Sequence, residues 1–170
     1  RELIFNHIRA GEPERSMAFL APVEGANSEG WMNSEVVAEG RWGWLSRVEL
    51  LRRAAAAGKR TNPLALAADK PNVSEASFAF ASYLMAYRDE RSTFWYGDLY
   101  RAHAMTWYPF YDVDLGPPVA DMAQLEGSGV YARAFEGGVV LVNPTDIPQR
   151  ISPPDAWPSL ELGEVTVGSK

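Results

Sequence analysis

The stretch from Trp44 to Gly97 constrains the fold most. Trp44, Leu45, Val48, Leu51, Ala54 and Ala55 recur at intervals of three and four, the period of one helix face, and Gly58 follows as a C-terminal stop. Asn62-Pro63-Leu64-Ala65-Leu66-Ala67-Ala68-Asp69 then reads as a strand whose alanines suit close approach by a helix. Ser74-Glu75 opens a second helix with a cap-like serine and an acidic first turn, and Phe78, Ala81, Ser82, Met85 and Ala86 line one side of it. Beyond the charged turn Arg88-Asp89-Glu90-Arg91, the segment Thr93-Phe94-Trp95-Tyr96-Gly97 is rich in residues that favour strands. Strands and helices in alternation predict an α/β domain with a parallel sheet.

The same reading extends in both directions. Glu2 to Ile8 fits a short buried strand and Arg9 to Glu14 a turn-rich loop, while Ser16 to Val23 is apolar but too short to assign. Glu24 to Gly30 reads as a loop leading into a strand over Trp31-Met32-Asn33-Ser34-Glu35. A complete (β/α)8 barrel takes about 250 residues. The 170 residues present therefore accommodate part of a barrel or a small open sheet. After Pro109 the pattern changes to a proline-punctuated loop, Tyr111 to Pro118, then two apolar strands around Glu136-Gly137-Gly138, a hairpin. The expected division is an α/β unit over 1–118 and a β-hairpin with its tail over 119–170, packed on that unit. The chain opens on Arg1 rather than Met, with strand-like residues at once and no signal-peptide pattern, so it reads as cut from something longer or processed.

Composition narrows the chemistry. Apolar residues are 46% and charged residues 22%, ordinary for a globular domain, and no apolar run reaches the roughly 18 residues of a membrane span. With no cysteine, a disulfide scaffold, a Cys-type zinc site and a thiol nucleophile are excluded. The net charge of −6 repels phosphate backbones, and Arg47, Arg52, Arg53, Lys59 and Arg60 have the spacing of a solvated helix face, so no nucleic-acid partner is expected. His7 and His103 lack metal-site spacing, no G-x-S-x-G elbow is present, and Gly25, Gly30 and Gly40 are too scattered for a phosphate loop. No metal or cofactor is expected.

In parallel α/β folds catalytic groups sit just past the C-terminal ends of strands. Glu35, Asp69 and Asp98 follow the strands expected at Trp31, Leu64 and Thr93, so all three would meet at one mouth of the sheet. Cleavage of a glycosidic bond needs two carboxyl groups, one protonated and one ionised. The alternatives stay open: Asp69 as a turn cap before Lys70-Pro71-Asn72, Asp98 as a helix cap. Trp31, Asn33, Trp95 and Tyr96 are the candidates for holding a sugar, Asn33 and Asn6 equally readable as turn residues. Tyr100, Trp107 and Tyr108 extend the aromatic set, for which packed core is the first reading and a sugar-stacking platform the second.

Two segments carry a resemblance. Tyr111-Asp112-Val113-Asp114-Leu115-Gly116-Pro117 and the run GVYARAFEGGVVLVN from Gly129 to Asn143, continued by Pro144, resemble the C-terminal part of a glycosyl-hydrolase-like family, hypothetical group 15, related to TIM-barrel glycosidases. Gly30-Trp31-Met32-Asn33-Ser34-Glu35 looks like that family's glycine, strand and acidic element, with Glu29 standing before Gly30 where an Asp is expected. The resemblance implies the C-terminal half of a (β/α)8 barrel, about four parallel strands, followed by a small antiparallel appendage. It implies an oligo- or polysaccharide substrate and, by analogy, an extracellular or periplasmic setting. Two functions follow as expectations: a glycoside hydrolase fragment acting through Glu35 with Asp98 or Asp69, or a carbohydrate-binding or structural relative without catalysis. A free-standing small α/β protein is a third.

Overall fold

A computed structural model describes residues 2–33, 40, 43–67, 71–97, 106–151 and 165–167. The elements run β1 (Ile4–Phe5), α1 (Pro13–Leu20), β2 (Gly25–Glu29), α2 (Trp44–Ala56), β3 (Arg60–Leu66), α3 (Val73–Ala86) and β4 (Trp95–Gly97). A short 3-10 turn at Pro109–Asp112 precedes β5 (Ala123–Gln124), β6 (Tyr131–Phe135), β7 (Gly138–Val142), β8 (Gln149–Ile151) and β9 (Val165–Val167).

The first four strands form a parallel sheet in the order β1-β2-β3-β4. Each crossover moves one strand in the same direction, so right-handed connections place α1, α2 and α3 on one face. Alternation along β3 shows the result: Thr61, Pro63 and Ala65 are buried toward the helices, while Arg60, Asn62, Leu64 and Leu66 on the other face are only half-buried. The helix side forms the main core around Leu20, Ala26, Trp31, Trp44, Val48, Leu51 and Met85.

The helix over Trp44 and the strand over Leu64 lie where their periodicity places them, and Gly58 adopts φ +74 after α2, a left-handed stop. One segment that the sequence leaves open is assigned, and two local expectations are corrected. The short apolar segment is the helix α1, with Pro13 at its first turn, where a missing N–H costs nothing. The cap of α3 is Asn72 and not Ser74, because the Asn72 side chain accepts the Glu75 N–H at 2.9 Å. The second strand is Gly25–Glu29, and Trp31 and Met32 lie in the turn after it. Gly-Ala-Asn-Ser-Glu has no β-branched residue to announce a strand. It needs small residues instead: a Cβ on Gly25 would stand 2.5 Å from the Arg60 carbonyl oxygen on the neighbouring strand.

On the open face a row of side-chain hydrogen bonds crosses the whole sheet. Thr93 Oγ1 donates to Asn62 Oδ1 at 2.9 Å, Asn62 Nδ2 to Asn27 Oδ1 at 3.2 Å, and Asn27 Nδ2 to Asn6 Oδ1 at 3.2 Å. The row pins the register of the four strands, since a one-residue slip would turn each amide to the opposite face.

Strands β5, β6 and β7 form a separate antiparallel sheet, and β8 pairs with β9. The expected hairpin is present with Glu136-Gly137 as its turn. Its two resembling segments pack on each other: Gly137 N donates to Leu115 O at 2.8 Å, Glu136 N to Pro117 O at 3.1 Å, and Val119 N to Ala134 O at 3.1 Å. Gly137 serves close approach, because a Cβ there would meet Asp114 O at 2.9 Å. The hairpin sheet lies against the helices, with Tyr131 on Trp44 at a ring separation of 4.7 Å and Arg133 reaching the end of α3.

One aromatic cluster joins α3 to the 3-10 turn: Phe80, Tyr83, Phe94, Tyr108, Phe110 and Tyr111. Burial pushes the Tyr83 and Tyr96 hydroxyls well above the ordinary tyrosine range and Tyr111 up to about 12, with smaller contributions from neighbouring tyrosines and acids. Raised folded-state values mean that the unfolded chain gives up its protons first. Stability is therefore complete below about pH 10 and falls as pH rises through about 12. Denaturant midpoints recorded at successive alkaline pH values should decline across that window, with phenolate absorbance lagging that of the unfolded chain.

Candidate active site

The carboxyl ends of β1 and β2 open into a cavity of about 160 Å³. Its walls include His7, Arg9, Glu29, Asn33 and Arg47. Glu29 is the last residue of β2, which sets its carboxylate at the rim on the open face, 45% exposed, with Oε2 at 3.6 Å from His7 Nδ1. Arg47 projects from the first turn of α2 and donates to the Gly30 carbonyl at 2.6 Å, which holds the turn after β2 against that helix. Burial lowers the Arg47 pKa from its ordinary value, and an arginine so placed remains a cation at neutral pH.

Backbone strain collects at this rim. Among the described residues the only non-glycine residues with positive φ are His7 (φ 70) and Met32 (φ 48), and Gly30, which lines the same cavity as His7, has φ 69. A left-handed conformation is costly for a residue with a Cβ, and such strain concentrates at functional sites. Asn33 adds a second sign: its Oδ1 is buried without a hydrogen-bond partner among the described residues. A buried acceptor left open is costly in a purely structural site.

Strand register sets what stands beside Glu29. Glu29 pairs with Leu64 and Leu64 pairs with Trp95, so the three side chains form one row on the open face, one step beyond the amide row. Two strand spacings of roughly 4.8 Å place Trp95 about 10 Å from Glu29. The Trp95 indole leans over Gly97, where a Cβ would meet it at 2.7 Å, and it remains half-exposed. An aromatic face next to a carboxylate is the pairing a sugar ring uses, apolar C–H surface on the ring and hydroxyls toward polar groups.

The sequence-derived candidates divide. Glu35, Asp69 and Asp98 lie outside the described residues, as does Tyr100. Trp95 and Asn33 border the rim. Trp31 is wholly buried and donates its indole N–H to the Ala79 carbonyl at 3.1 Å, so its ring packs under α3 and offers no face to a ligand. Tyr96 is buried as well: its hydroxyl donates to Glu75 Oε2 at 3.0 Å and accepts the Asn72 N–H at 3.0 Å, fastening the start of α3 to β4. Tyr108 packs in the aromatic cluster, while Trp107 is exposed and donates to Asp112 at 3.0 Å. Asn6 belongs to the amide row. Sequence reasoning missed Glu29, His7 and Arg47 as a group. The available signal was the acidic residue before Gly30, once the strand is ended there.

A family model described as hypothetical glycosyl hydrolase family 15 matches residues 3–139. The chain belongs to that family. The match takes in all four parallel strands, the Asp112 to Pro117 loop and β6, and ends at Val139 within β7. It agrees with the resemblance read from the loop and hairpin. No curated protein matches the chain. Among the described residues no helix is long and apolar enough to cross a membrane.

Proposed function

We propose that this chain is part of a glycoside hydrolase, the C-terminal half of a (β/α)8 barrel with residues 119–170 as a β appendage, and that it cleaves glycosidic bonds with carboxylates at the carboxyl rim of the parallel strands. The single observation that carries the reading is Glu29, a half-exposed carboxylate ending β2 near the two non-glycine residues of positive φ among the described residues, in a chain of this family. The one-sided winding of the sheet supports the barrel, since a sheet wound in one direction leaves its other face to be closed around.

Glu29 takes one of the two carboxyl roles, acid or nucleophile. The second falls to Glu35, Asp98 or Asp69, which follow β2, β4 and β3 in the chain. A partner carboxyl about 5–5.5 Å from Glu29 makes the enzyme retaining, and one at about 6.5–9.5 Å makes it inverting. Trp95 supplies the stacking surface, and Asn33 an acceptor for a sugar hydroxyl.

Release of reducing ends from a panel of polysaccharides tests the proposal, with Glu35→Gln, Asp69→Asn and Asp98→Asn alongside. One of the three should abolish turnover. Saccharide binding with no release from any polysaccharide would overturn the hydrolase reading and favour a binding relative. Trp95→Ala should raise KM about tenfold with a smaller effect on kcat, the worth of one aromatic stacking contact.

A further inference from the structure

We propose that the cavity beside His7, on the outer side of the Glu29 pocket, is a subsite for a negatively charged saccharide residue, held by Arg9. The inference rests on the reading of the Glu29 pocket as a saccharide site and names the class of substrate it takes. The cavity has a volume of about 320 Å³ and is walled by Phe5, His7, Arg9, Arg15 and Phe19 among others. His7 and Arg9 line both cavities, so the two adjoin, and a glycan with its scissile bond at Glu29 extends into the second.

Arg9 is the unusual group. Each other arginine among the described residues has an ion pair, a hydrogen bond or another electrostatic partner: Arg52 holds Glu49 and Asp121, Arg53 holds Glu14, Arg60 holds Glu2, and Arg91 holds Asp89. The Arg9 guanidinium has none within the described residues, although the chain carries a net charge of −6 and acids are plentiful. Its backbone is nevertheless fixed, since Ser16 Oγ accepts the Arg9 N–H at 2.9 Å and donates to the Arg9 carbonyl at 3.0 Å. A free cation on a pinned backbone is set up to receive a ligand's charge without ordering a loop first.

The rest of the cavity suits a sugar. Phe5 and Phe19 stack on each other with centroids 5.1 Å apart and contribute apolar surface to the cavity wall. Arg15 lies 5.4 Å over Phe19, and Glu12 at 3.1 Å neutralises it, so Arg9 supplies the excess positive charge. A guanidinium fork matches the planar carboxylate of a uronic acid with two parallel bonds, and it also holds a sulfate ester. An acidic protein repels an anionic glycan over most of its surface, so a cavity with excess positive charge beside the Glu29 pocket favours the charged residue there.

Titration calorimetry at low salt tests the subsite on the protein with a tetragalacturonate, a sulfated tetrasaccharide and a neutral tetraglucoside. A charged probe should bind about tenfold more tightly than the neutral one. Arg9→Gln, with its fold checked by circular dichroism, should erase that preference, and Arg9→Lys should keep part of it through charge without the fork. Preference for the carboxylate probe identifies a uronic acid, and preference for the other a sulfate ester. Equal binding of all three, no binding of either charged probe, or a preference that survives Arg9→Gln overturns the proposal. Cleavage of neutral glycans without charge preference sinks the subsite alone. Arg9-dependent binding without cleavage of any glycan sinks the hydrolase reading and leaves the subsite.

Discussion

Glu29→Gln is expected to lower glycoside hydrolysis by about 10³-fold, the worth of a positioned acid, base or nucleophile. Its thermal midpoint should stay close to that of the parent, because the side chain is 45% exposed and the His7 imidazole lies no nearer than 3.6 Å. Glutamine keeps the shape of the side chain and removes its charge and its proton, so the loss would be chemical and not steric. A Glu29→Ala protein regaining turnover with added azide or formate would assign Glu29 as nucleophile or base, since a small anion replaces a carboxylate but cannot replace a directed proton donor. Undiminished turnover in Glu29→Gln would remove Glu29 from the mechanism and leave the chemistry to Glu35, Asp69 and Asp98.

Arg133→Met is expected to cost about 3 kcal/mol of folding stability. Arg133 sits in β6 at 7% exposure, and its Nη1 faces three carbonyls at the end of α3: Leu84 at 2.8 Å, Met85 at 3.0 Å and Tyr87 at 2.6 Å. Its Nε donates to Ala120 O at 3.1 Å. The last carbonyls of a helix have no partner within the helix, and the negative end of its dipole favours a cation there. The guanidinium answers both needs and ties the hairpin to the helix layer. Methionine fills comparable volume but leaves those carbonyls buried and open. For a domain of this size the loss corresponds to a fall of roughly 6–12 °C in Tm. Calorimetry or urea denaturation reads it directly, and a shift below about 1 kcal/mol would mean that apolar contact alone docks the hairpin. Arg133→Lys should recover only part, since one ammonium cannot span the same carbonyls.

Elements with a strong local period were legible before any coordinates. The face of α2 repeats at three and four residues, and the hairpin strands are apolar runs around a glycine turn, so each announces itself from neighbours in the chain. Strand β2 does not. Its residues are small and polar because its environment is another strand's backbone at Gly25 and a row of amides at Asn27, both set by residues distant in sequence. Reading Glu24 to Gly30 as a loop moved the strand end from Glu29 to Glu35 and concealed the rim carboxylate. Trp31 and Tyr96 show the converse: an aromatic side chain carries no mark that separates a sugar platform from a core ring until burial is known.

Periodicity by itself determined the alternating α/β order and the C-terminal hairpin, because helix and strand periods and a close-packed turn are written in adjacent residues, while the loop and hairpin motifs carried the resemblance to a glycosyl hydrolase family. Tertiary structure alone decided that Glu29 ends a strand, that His7 and Met32 are strained beside it, that the Arg9 guanidinium has no partner among the described residues, and that Arg133 is buried against a helix end. Each of these depends on which distant backbone and charge a side chain meets, and that is settled only when the sheet closes its register and the helices pack across it.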